Sequence, residues 1–363
     1  MKTKLQAALV ALAAASSIAC AQVPAGYPES YRDLIAAAKK EGKVIVYSVT
    51  SAVPALLDDF QALYPDVKLE YVALDTGPLY DRVISESVAG ATGDVIWSSA
   101  MDLQVKLVND GYAMKYASPE TSKLPSWAVW RDEAYGSTFE PVGFVYNKGL
   151  VDKSDVPRTH AEFIELLKTK PDKFKGKITA FDPAKSGLGY LLMTQDLIVS
   201  PARFWELAKA LGTSGLYPGT GTGAQFERIA KGESLMGYNL LVSYAMGRIK
   251  KDLPQLDVAL PQDHTLVISR VMFISRSAAH PSAARLWVDY VLSKRGQEML
   301  ARSDLGSLRA DVDSEMTPSA LATRLGGAVK PVPVGPDLLT YLAAEKRTEF
   351  LAEWNRLVTG SSR

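Results

Sequence analysis

Arg270 is the residue that most clearly requires a polar partner, because its charged side chain interrupts an apolar run, TLVISRVMFI, from Thr265 to Ile274. A guanidinium among apolar residues needs partners that accept its hydrogen bonds. One partner within the chain is Glu140, which lies in a second β-rich run, FEPVGFVYN, from Phe139 to Asn147. The other is the carboxylate or phosphonate of a bound anion, which a guanidinium can hold with two parallel hydrogen bonds. Both alternatives are open on the sequence alone.

Small polar residues follow three predicted strands of the N-terminal half. They are Thr50 and Ser51 after the first strand, Asp75 after the second, and Ser98 and Ser99 after the third. In an open parallel sheet the carboxyl ends of the strands lie along one crevice, where hydroxyls at helix N-termini can bind an anion. Single residues of this kind are often only helix caps or turn residues. Their recurrence at three equivalent strand ends favours a common binding site.

The second half of the chain contains further candidate contacts. Ser186 and Gly187 open an apolar helix after a predicted strand at 177–181, and glycine there lets a ligand approach backbone N–H groups closely. The run GTGTG at 219–223 lacks the last glycine of G-x-G-x-x-G and the Lys-Ser/Thr tail of a P-loop. We interpret it as a turn before a helix, with Thr222 as both the cap and a candidate ligand contact.

The order of the predicted elements indicates an α/β fold with two lobes. Short apolar strands alternate with helices on both sides of the run at 139–147, as in sheets covered on both faces. Pro141 removes a ladder donor, which places this run at a sheet edge or at a crossing between lobes. A chain that crosses once must also return, and 265–274 is the candidate. We predict hinge strands at 139–147 and 265–274, with lobes formed by 27–138 plus 275–305 and by 148–264 plus 306–363.

The composition is that of an ordinary globular protein. Lys and Arg number 41 against 40 Asp and Glu, so no large field of one sign favours nucleic-acid binding. The hydrophobic share of 47% does not indicate disorder. A chain of 363 residues is long enough for two domains with a sizeable core.

The N-terminus predicts export. Lys2 and Lys4 precede a short apolar run, and Ala19-Cys20-Ala21 has the A-x-A form of a signal-peptide cleavage site. Cleavage after residue 21 would remove Cys20, the single cysteine, and with it any disulfide or thiolate chemistry. The alternative is a lipoprotein signal in which Ser17 to Cys20 is the lipobox and Cys20 carries the lipid. Both interpretations place the protein outside the cytoplasm.

Motifs of the common catalytic classes are absent from the sequence. It contains neither G-x-S-x-G, S-x-x-K after any serine, H-E-x-x-H nor a P-loop. His160, His264 and His280 lie near predicted helix starts or turns, and their spacing suggests no metal site. We expect His160 to be an exposed residue in the first helical turn, after the capping box that begins at Thr159. A purely structural envelope protein is a third possibility, but packing alone would not need the repeated polar strand ends.

The chain resembles the solute-binding proteins of ABC importers, and within them the type II group of ferric-ion, sugar-phosphate and aminoethylphosphonate binders. The resemblance rests on YNK at 146–148, into which the first hinge strand runs, and on PSAARLWVDYVLSKRGQEMLA from Pro281 to Ala301. It implies a two-lobed periplasmic binding protein fold with parallel-rich sheets and a hinge cleft. It also implies a monomeric receptor without a cofactor or chemistry of its own, which delivers a small solute to a membrane permease.

Iron is the alternative solute that the resemblance raises. Ferric binders of this group carry adjacent tyrosines after a strand of the second lobe, whereas the corresponding stretch here is Leu240 to Ser243. Tyr238 and Tyr244 flank this stretch separately, and we include Tyr238 among the candidate ligand contacts. Fe(III) prefers oxygen ligands, which carboxylates, tyrosines elsewhere or a bound carboxylate could supply. We expect an anionic organic solute, and keep ferric ion as the alternative.

Overall fold

The computed structural model describes residues 23–50 and 53–360, and within them the chain forms two mixed β-sheets flanked by helices. This confirms the predicted α/β class with two lobes. The predicted signal peptide with Cys20, and the candidate Ser51, lie outside the described residues. Among the described residues, no helix combines the length and the apolar character needed to cross a bilayer.

The first lobe is built on a six-stranded sheet in which a parallel block is extended by antiparallel strands. The parallel block contains the three strands that the sequence predicted, and their carboxyl ends lie at the same edge. In spatial order the strands are β2 (Lys68–Ala73), β1 (Lys43–Ser48), β3 (Val95–Ser98), β12 (Val271–Ile274), β5 (Ala134–Gly136) and β4 (Val129–Trp130).

The second lobe is also built on one sheet that contains both parallel and antiparallel strand pairs. Its spatial order is β13 (Val329–Pro331), β11 (Thr265–Ile268), β6 (Glu140–Asn147), β9 (Met236–Leu241), β7 (Ile178–Phe181) and β8 (Tyr217–Gly219), with β10 (Leu256–Ala259) paired to β6. β7 is parallel to β8 and to β9, whereas β6 is antiparallel to its neighbours β9, β10 and β11. All of β6 therefore belongs to the second sheet.

Helices cover both sheets. The helices of the first lobe are α1 (Tyr31–Glu41), α2 (Pro54–Leu63), α3 (Thr76–Val88), α4 (Met101–Asn109), α11 (Pro281–Leu292) and α12 (Lys294–Arg302). Those of the second lobe are α5 (His160–Thr169), α6 (Pro171–Phe174), α7 (Gly187–Val199), α8 (Pro201–Thr213), α9 (Thr222–Ala230), α10 (Val242–Lys251), α13 (Pro318–Leu325) and α14 (Ala344–Val358). Proline at the first position of α2, α8 and α11 suits a helix start, because its missing N–H has no partner there in any case.

Two direct crossings from strand to strand join the sheets, at residues 137–139 and 269–270, and the chain passes to the second sheet once more between β12 and β13. The apolar run at 265–274 is therefore two strands, one in each sheet, rather than the single strand that its composition suggested. The two crossings bond to each other: the Thr138 amide donates to Ser269 Oγ at 3.1 Å, and the Arg270 amide donates to Thr138 Oγ1 at 2.8 Å. The Ser137 amide donates to the Arg270 carbonyl at 2.9 Å. These polar bonds hold the crossings where the ladders of both sheets end.

Each lobe has an aromatic-rich core. Phe60 packs edge-on against Trp287 in the first lobe, with ring centroids 4.9 Å apart. In the second lobe, Phe144 and Phe163 have centroids 4.9 Å apart, and Phe204 packs with Phe350 of the last helix. These rings are almost completely buried, so each lobe has the apolar interior that a separate domain needs.

Candidate functional site

A cavity of about 340 Å³ lies between the two lobes. Ligand pockets in proteins are typically about 300–1,000 Å³, so this volume suits a small molecule. The first lobe and the crossing contribute Val49, Thr50, Leu74, Asp75, Thr76, Ser99, Arg270, Ser303 and Leu305, and the second lobe contributes Phe181, Ser186, Leu188, Thr220, Gly221, Thr222, Gly223, Leu241 and Tyr244.

Arg270 joins the two lobes beside this cavity. Its Nε and Nη2 donate to the two carboxylate oxygens of Glu140 at 2.8 and 3.0 Å, and its Nη1 donates to Thr50 Oγ1 at 2.9 Å. Glu140 is completely buried, whereas Arg270 remains 8% exposed and lines the cavity. A guanidinium has five N–H donors, so these three bonds leave two that have no partner among the described residues. The structure therefore contains the intramolecular pair and keeps donors for a ligand.

Thr50 is itself held in place from the first lobe. The Tyr71 hydroxyl donates to the Thr50 carbonyl at 2.5 Å, and the Thr50 amide donates to Ser48 Oγ at 3.0 Å. Burial raises the pKa of Tyr71 to about 12, so its phenol stays protonated and remains a donor at neutral pH. The Thr50 hydroxyl is thereby fixed against Arg270 before any solute arrives.

Helix N-termini from both lobes reach the cavity. α3 begins at Thr76 in the first lobe, and α9 and α10 begin at Thr222 and Val242 in the second, next to the lining residues Gly221 and Leu241. α7 begins after Ser186, whose Oγ accepts from the Gly189 amide at 3.1 Å. The first N–H groups of each helix have no partner inside the helix and carry partial positive charge. The cavity is therefore suited to negative charge even though Arg270 is paired with Glu140.

Most of the sequence-predicted site residues meet here. Thr50, Asp75, Ser99, Ser186, Thr222 and Arg270 all line the cavity. Ser98 and Gly187 do not line the cavity, although each is next in sequence to a residue that does. Ser98 Oγ instead accepts from the Ala100 amide at 3.2 Å. Glu140 contributes indirectly, because its carboxylate accepts two hydrogen bonds from Arg270, which lines the cavity.

Tyr238 does not line the cavity. Residues on a strand alternate between faces, so Tyr238 and Leu241 of β9 point to opposite sides, and Leu241 is the one that reaches the cavity. The Tyr238 ring packs against Phe144 and Phe163, and its hydroxyl donates to Asp196. Its position near a predicted strand end therefore did not indicate a contact with the ligand.

Tyr238 belongs to a buried cluster beneath the second sheet that also contains two histidines. His264 Nε2 lies 2.5 Å from Asp196 Oδ1, and His160 Nδ1 lies 2.9 Å from Asp263 Oδ1. The two imidazole rings are stacked, with centroids 4.0 Å apart and planes inclined by 8°. His160 is 5% exposed, so the expectation of an exposed first-turn residue was wrong. The Asp263 carboxylate, which accepts from both the amide and the ring of His160, holds it inside.

His160, Asp196 and His264 are close enough to be considered as metal ligands, since their ligand atoms lie within 4.8 Å of one another. The stacking argues against this use. An imidazole lone pair lies in the plane of its ring, so two parallel rings 4.0 Å apart do not direct their lone pairs at one ion. The carboxylates beside the rings instead accept hydrogen bonds. We interpret the cluster as an internal hydrogen-bond network.

Several residues that line the cavity were not identified from the sequence. Tyr244 lies in the first turn of α10, and Ser303 and Leu305 follow α12. Thr220 sits in the GTGTG turn beside the predicted Thr222. The helix start after a strand could have identified Tyr244 and Thr220, whereas nothing in the local sequence marks Ser303 or Leu305.

A second cavity, of about 530 Å³, is lined mainly by residues of the first lobe, with Arg309 and Asp311 from the segment that follows it. Tyr27, Tyr31 and Tyr290 line it together with Arg295 and Arg309. Its two arginines are occupied, Arg295 by Asp59 and Arg309 by Glu120 and Asp311. None of the sequence-predicted site residues lines this cavity, so the smaller cavity between the lobes is the better candidate.

Comparison with known proteins identifies the family of the chain. The family described as bacterial extracellular solute-binding protein matches residues 48–298. A solved substrate-binding protein of an ABC transporter from Agrobacterium tumefaciens is 35% identical, with a TM-score of 0.81 over 87% of this chain and 94% of the other. The fold is shared by AfuA of Actinobacillus pleuropneumoniae with bound fructose-6-phosphate (19% identity, TM-score 0.69, covering 88% and 99%). It is also shared by the ferric binding protein of Campylobacter jejuni (18%, 0.66, covering 87% and 98%). The chain belongs to the bacterial extracellular solute-binding proteins, the extracytoplasmic components that deliver small solutes to ABC-transporter permeases.

Proposed function

We propose that this protein captures a small organic anion, a carboxylate, phosphonate or sugar phosphate, in the cavity between its lobes. The observation that carries the proposal is Arg270, which is held by Glu140 and Thr50, lines the cavity and keeps two donors without a partner among the described residues. A guanidinium fixed in this way loses little conformational freedom when it binds a carboxylate or phosphonate oxygen.

The charges around the cavity narrow the class of solute. Glu140 balances the charge of Arg270, so an anion would be stabilised mainly by N–H dipoles and hydroxyl donors rather than by an excess cation. Asp75 adds an exposed carboxylate to the lining. This carboxylate favours a solute that also carries hydroxyl or ammonium groups, because a purely anionic molecule would be repelled.

Ferric ion is the second candidate solute, and the residues that line the cavity offer few oxygen ligands for it. Asp75 and Tyr244 are the carboxylate and the phenol among the described lining residues. Two oxygen donors of this kind are fewer than a hard trivalent ion requires, so iron would have to bring a carboxylate with it. Ferric loading of the folded protein would then produce a visible tyrosinate-to-iron absorption band, and a colourless sample would remove this candidate.

We further propose that the protein is a monomeric periplasmic receptor without enzymatic activity. The polar groups of the cavity are hydroxyls, backbone donors, the Asp75 carboxylate and one paired guanidinium, a set that suits binding rather than catalysis. A lipid anchor on Cys20 is the alternative to a freely diffusing protein. Mass spectrometry of the mature protein distinguishes the two, since cleavage after residue 21 and lipidation of Cys20 give different masses.

We propose lobe boundaries close to the sequence prediction, with the first lobe from 27–138 plus 275–305 and the second from 148–264 plus 306–363. Strand pairing supports crossings at 137–139 and 269–270, inside or beside the predicted hinge runs. Limited rotation about these short crossings would open the cavity to solvent.

A thermal-shift screen tests the proposed solute class. A ligand that binds only the folded state raises the melting temperature, by linkage. The panel contains carboxylates, phosphonates and sugar phosphates, each compared with its uncharged alcohol or sugar. Native mass spectrometry of the purified protein adds a search for a retained small molecule. If only uncharged sugars shifted the melting temperature, the anionic class would be wrong.

A further inference from the structure

One point of contact between the lobes lies beside the solute cavity and is not part of it. The segment that follows α12 in the first lobe supplies Ser303 and Leu305 to the cavity and directs Asp304, between them, at α10 of the second lobe. Lys250 Nζ of α10 donates to Asp304 Oδ1 at 2.6 Å. The first lobe therefore touches the second through the same helix that carries the lining residue Tyr244.

Gly247 makes this approach possible. A Cβ added at position 247 would lie 3.1 Å from Asp304 Oδ2 and 3.4 Å from Asp304 Cβ. Glycine inside a helix costs roughly 0.5–1 kcal/mol relative to alanine, so its presence in α10 needs a compensating reason. The close approach of Asp304 provides that reason. Asp304 itself has φ 57°, a left-handed conformation that aspartate tolerates better than most residues and that turns its side chain toward α10.

Attraction between the two charges does not explain the contact by itself. The Lys250 side chain is 65% exposed, and exposed ion pairs contribute little to stability. The more specific feature is steric: Asp304 lies in the space that a side chain at position 247 would occupy. A similar fit occurs between α3 and α7, where a Cβ on Gly187 would lie 3.3 Å from Thr76 Cγ2.

We propose that Gly247 and Asp304 are positioning residues for solute capture: they dock the first lobe onto α10 when the cleft closes, and they set how far it closes. The proposal rests on the proposed function, because a receptor of this kind must close around its solute. Neither residue lines the cavity, so both act through the lining residues on either side of them, Tyr244 on α10 and Ser303 and Leu305 on the segment.

An engineered disulfide tests the contact without a solute. Disulfide-bonded residues have Cβ atoms about 3.5–4.5 Å apart, and a Cβ at position 247 would lie 3.4 Å from that of Asp304, which is near this range. The double variant Gly247→Cys/Asp304→Cys is made in a Cys20→Ser background, so that the chain has no other thiol. We expect an intramolecular disulfide under mild oxidation, seen as a mobility shift on a non-reducing gel that reductant reverses.

Two controls make the test decisive. The single variants Gly247→Cys and Asp304→Cys must stay monomeric and unshifted, and thiol titration must show that each cysteine is accessible. Reactive thiols that form no intramolecular bond in the double variant would overturn the proposal. Failure of the anion screen with a formed disulfide would refute only the solute class, whereas a confirmed binder without the disulfide would refute only the docking contact.

A bulky side chain tests the steric part of the proposal by an independent route. Gly247→Leu should hold the lobes apart, which small-angle scattering detects as an increased radius of gyration. Gly327→Leu is the matched control, because position 327 is an exposed glycine with open space around its Cβ. An unchanged radius for folded Gly247→Leu would contradict the assigned role of this position.

Discussion

Two polar clusters lie among the apolar strands of this molecule, and they differ in whether they reach the cavity between the lobes. The cluster at the crossing joins Arg270, Glu140 and Thr50, and keeps guanidinium donors at a cavity between lobes. The cluster beneath the second sheet joins Tyr238, Asp196 and the two stacked histidines inside one lobe. Both contain charged groups that are buried. Only the first combines spare donors with a space for a ligand.

The comparison shows that burial of ionisable residues is weak evidence of function by itself. A buried carboxylate must be hydrogen-bonded wherever it lies, for reasons of stability alone. In the histidine cluster both carboxylate oxygens of Asp196 have donors, Tyr238 and His264, and the cluster lies outside the cavity between the lobes. At the crossing, Arg270 lines that cavity and two of its donors have no partner among the described residues.

The largest effect is expected at Arg270. In Arg270→Ala the fully buried Glu140 loses its charged partner, and breaking a buried pair in this way costs about 3–5 kcal/mol of unfolding free energy. Binding of the solute should weaken by about 2 kcal/mol or more, because a desolvated charged contact is lost. Chemical denaturation and calorimetric titration with a hit from the screen measure the two effects.

A double variant separates stability from binding at the same place. Replacing both partners, as in Arg270→Met/Glu140→Leu, removes the unpaired charge and should recover much of the stability that Arg270→Ala loses. It should not recover solute binding. Full solute affinity in this double variant would assign Arg270 to the scaffold alone.

The histidine cluster should show the opposite pattern. Tyr238→Phe removes the hydroxyl that donates to Asp196, and one unsatisfied buried acceptor costs about 1–3 kcal/mol. Solute affinity should stay unchanged, because Tyr238 does not line the cavity. Tyr217→Phe, at a 45% exposed residue, is the matched control and should have little effect on stability. Weaker solute binding by Tyr238→Phe would show that the two clusters are coupled.

A smaller effect is expected at Thr50. Thr50→Val removes the hydroxyl that accepts from Arg270 Nη1 at 2.9 Å, so the guanidinium is less firmly oriented and affinity should fall by about 1 kcal/mol. Thr92→Val is a matched control in the same lobe, because Thr92 is also buried but does not line the cavity. Calorimetric titration should leave the control unchanged, and equal losses in both variants would remove the special role of Thr50.

The smallest effect concerns acid stability. Burial by itself would raise the pKa of Asp263, but hydrogen bonds from His160 hold it at about 2, below the ordinary value of 3.8. A carboxyl whose pKa is lowered by folding stabilises the protein above its unfolded pKa, and this contribution is lost as the pH falls from about 3.8 to 2. In His160→Phe we expect the acid transition, followed by circular dichroism between pH 5 and 2, to move to higher pH. An unmoved transition would contradict the assigned pairing.

Much of the site could be predicted from local sequence. Thr50, Asp75, Ser99 and Ser186 were identifiable because parallel strands place their carboxyl ends at one edge, whatever the details of packing. The partnership of Arg270 with Glu140 was one of two open alternatives, since a buried guanidinium requires an acceptor. The structure then showed that Arg270 can have this partner and still face the cavity.

Local sequence was enough to predict the class of fold, because apolar strands that alternate with helices bury their side chains in one arrangement of layers. It was not enough to predict which side chains come together. Ser303 and Leu305 reach the cavity, and Tyr238 and His160 join a buried polar cluster, through contacts between elements distant in the chain. Such contacts depend on how the lobes and their helices pack, and neither periodicity nor local propensity specifies that packing.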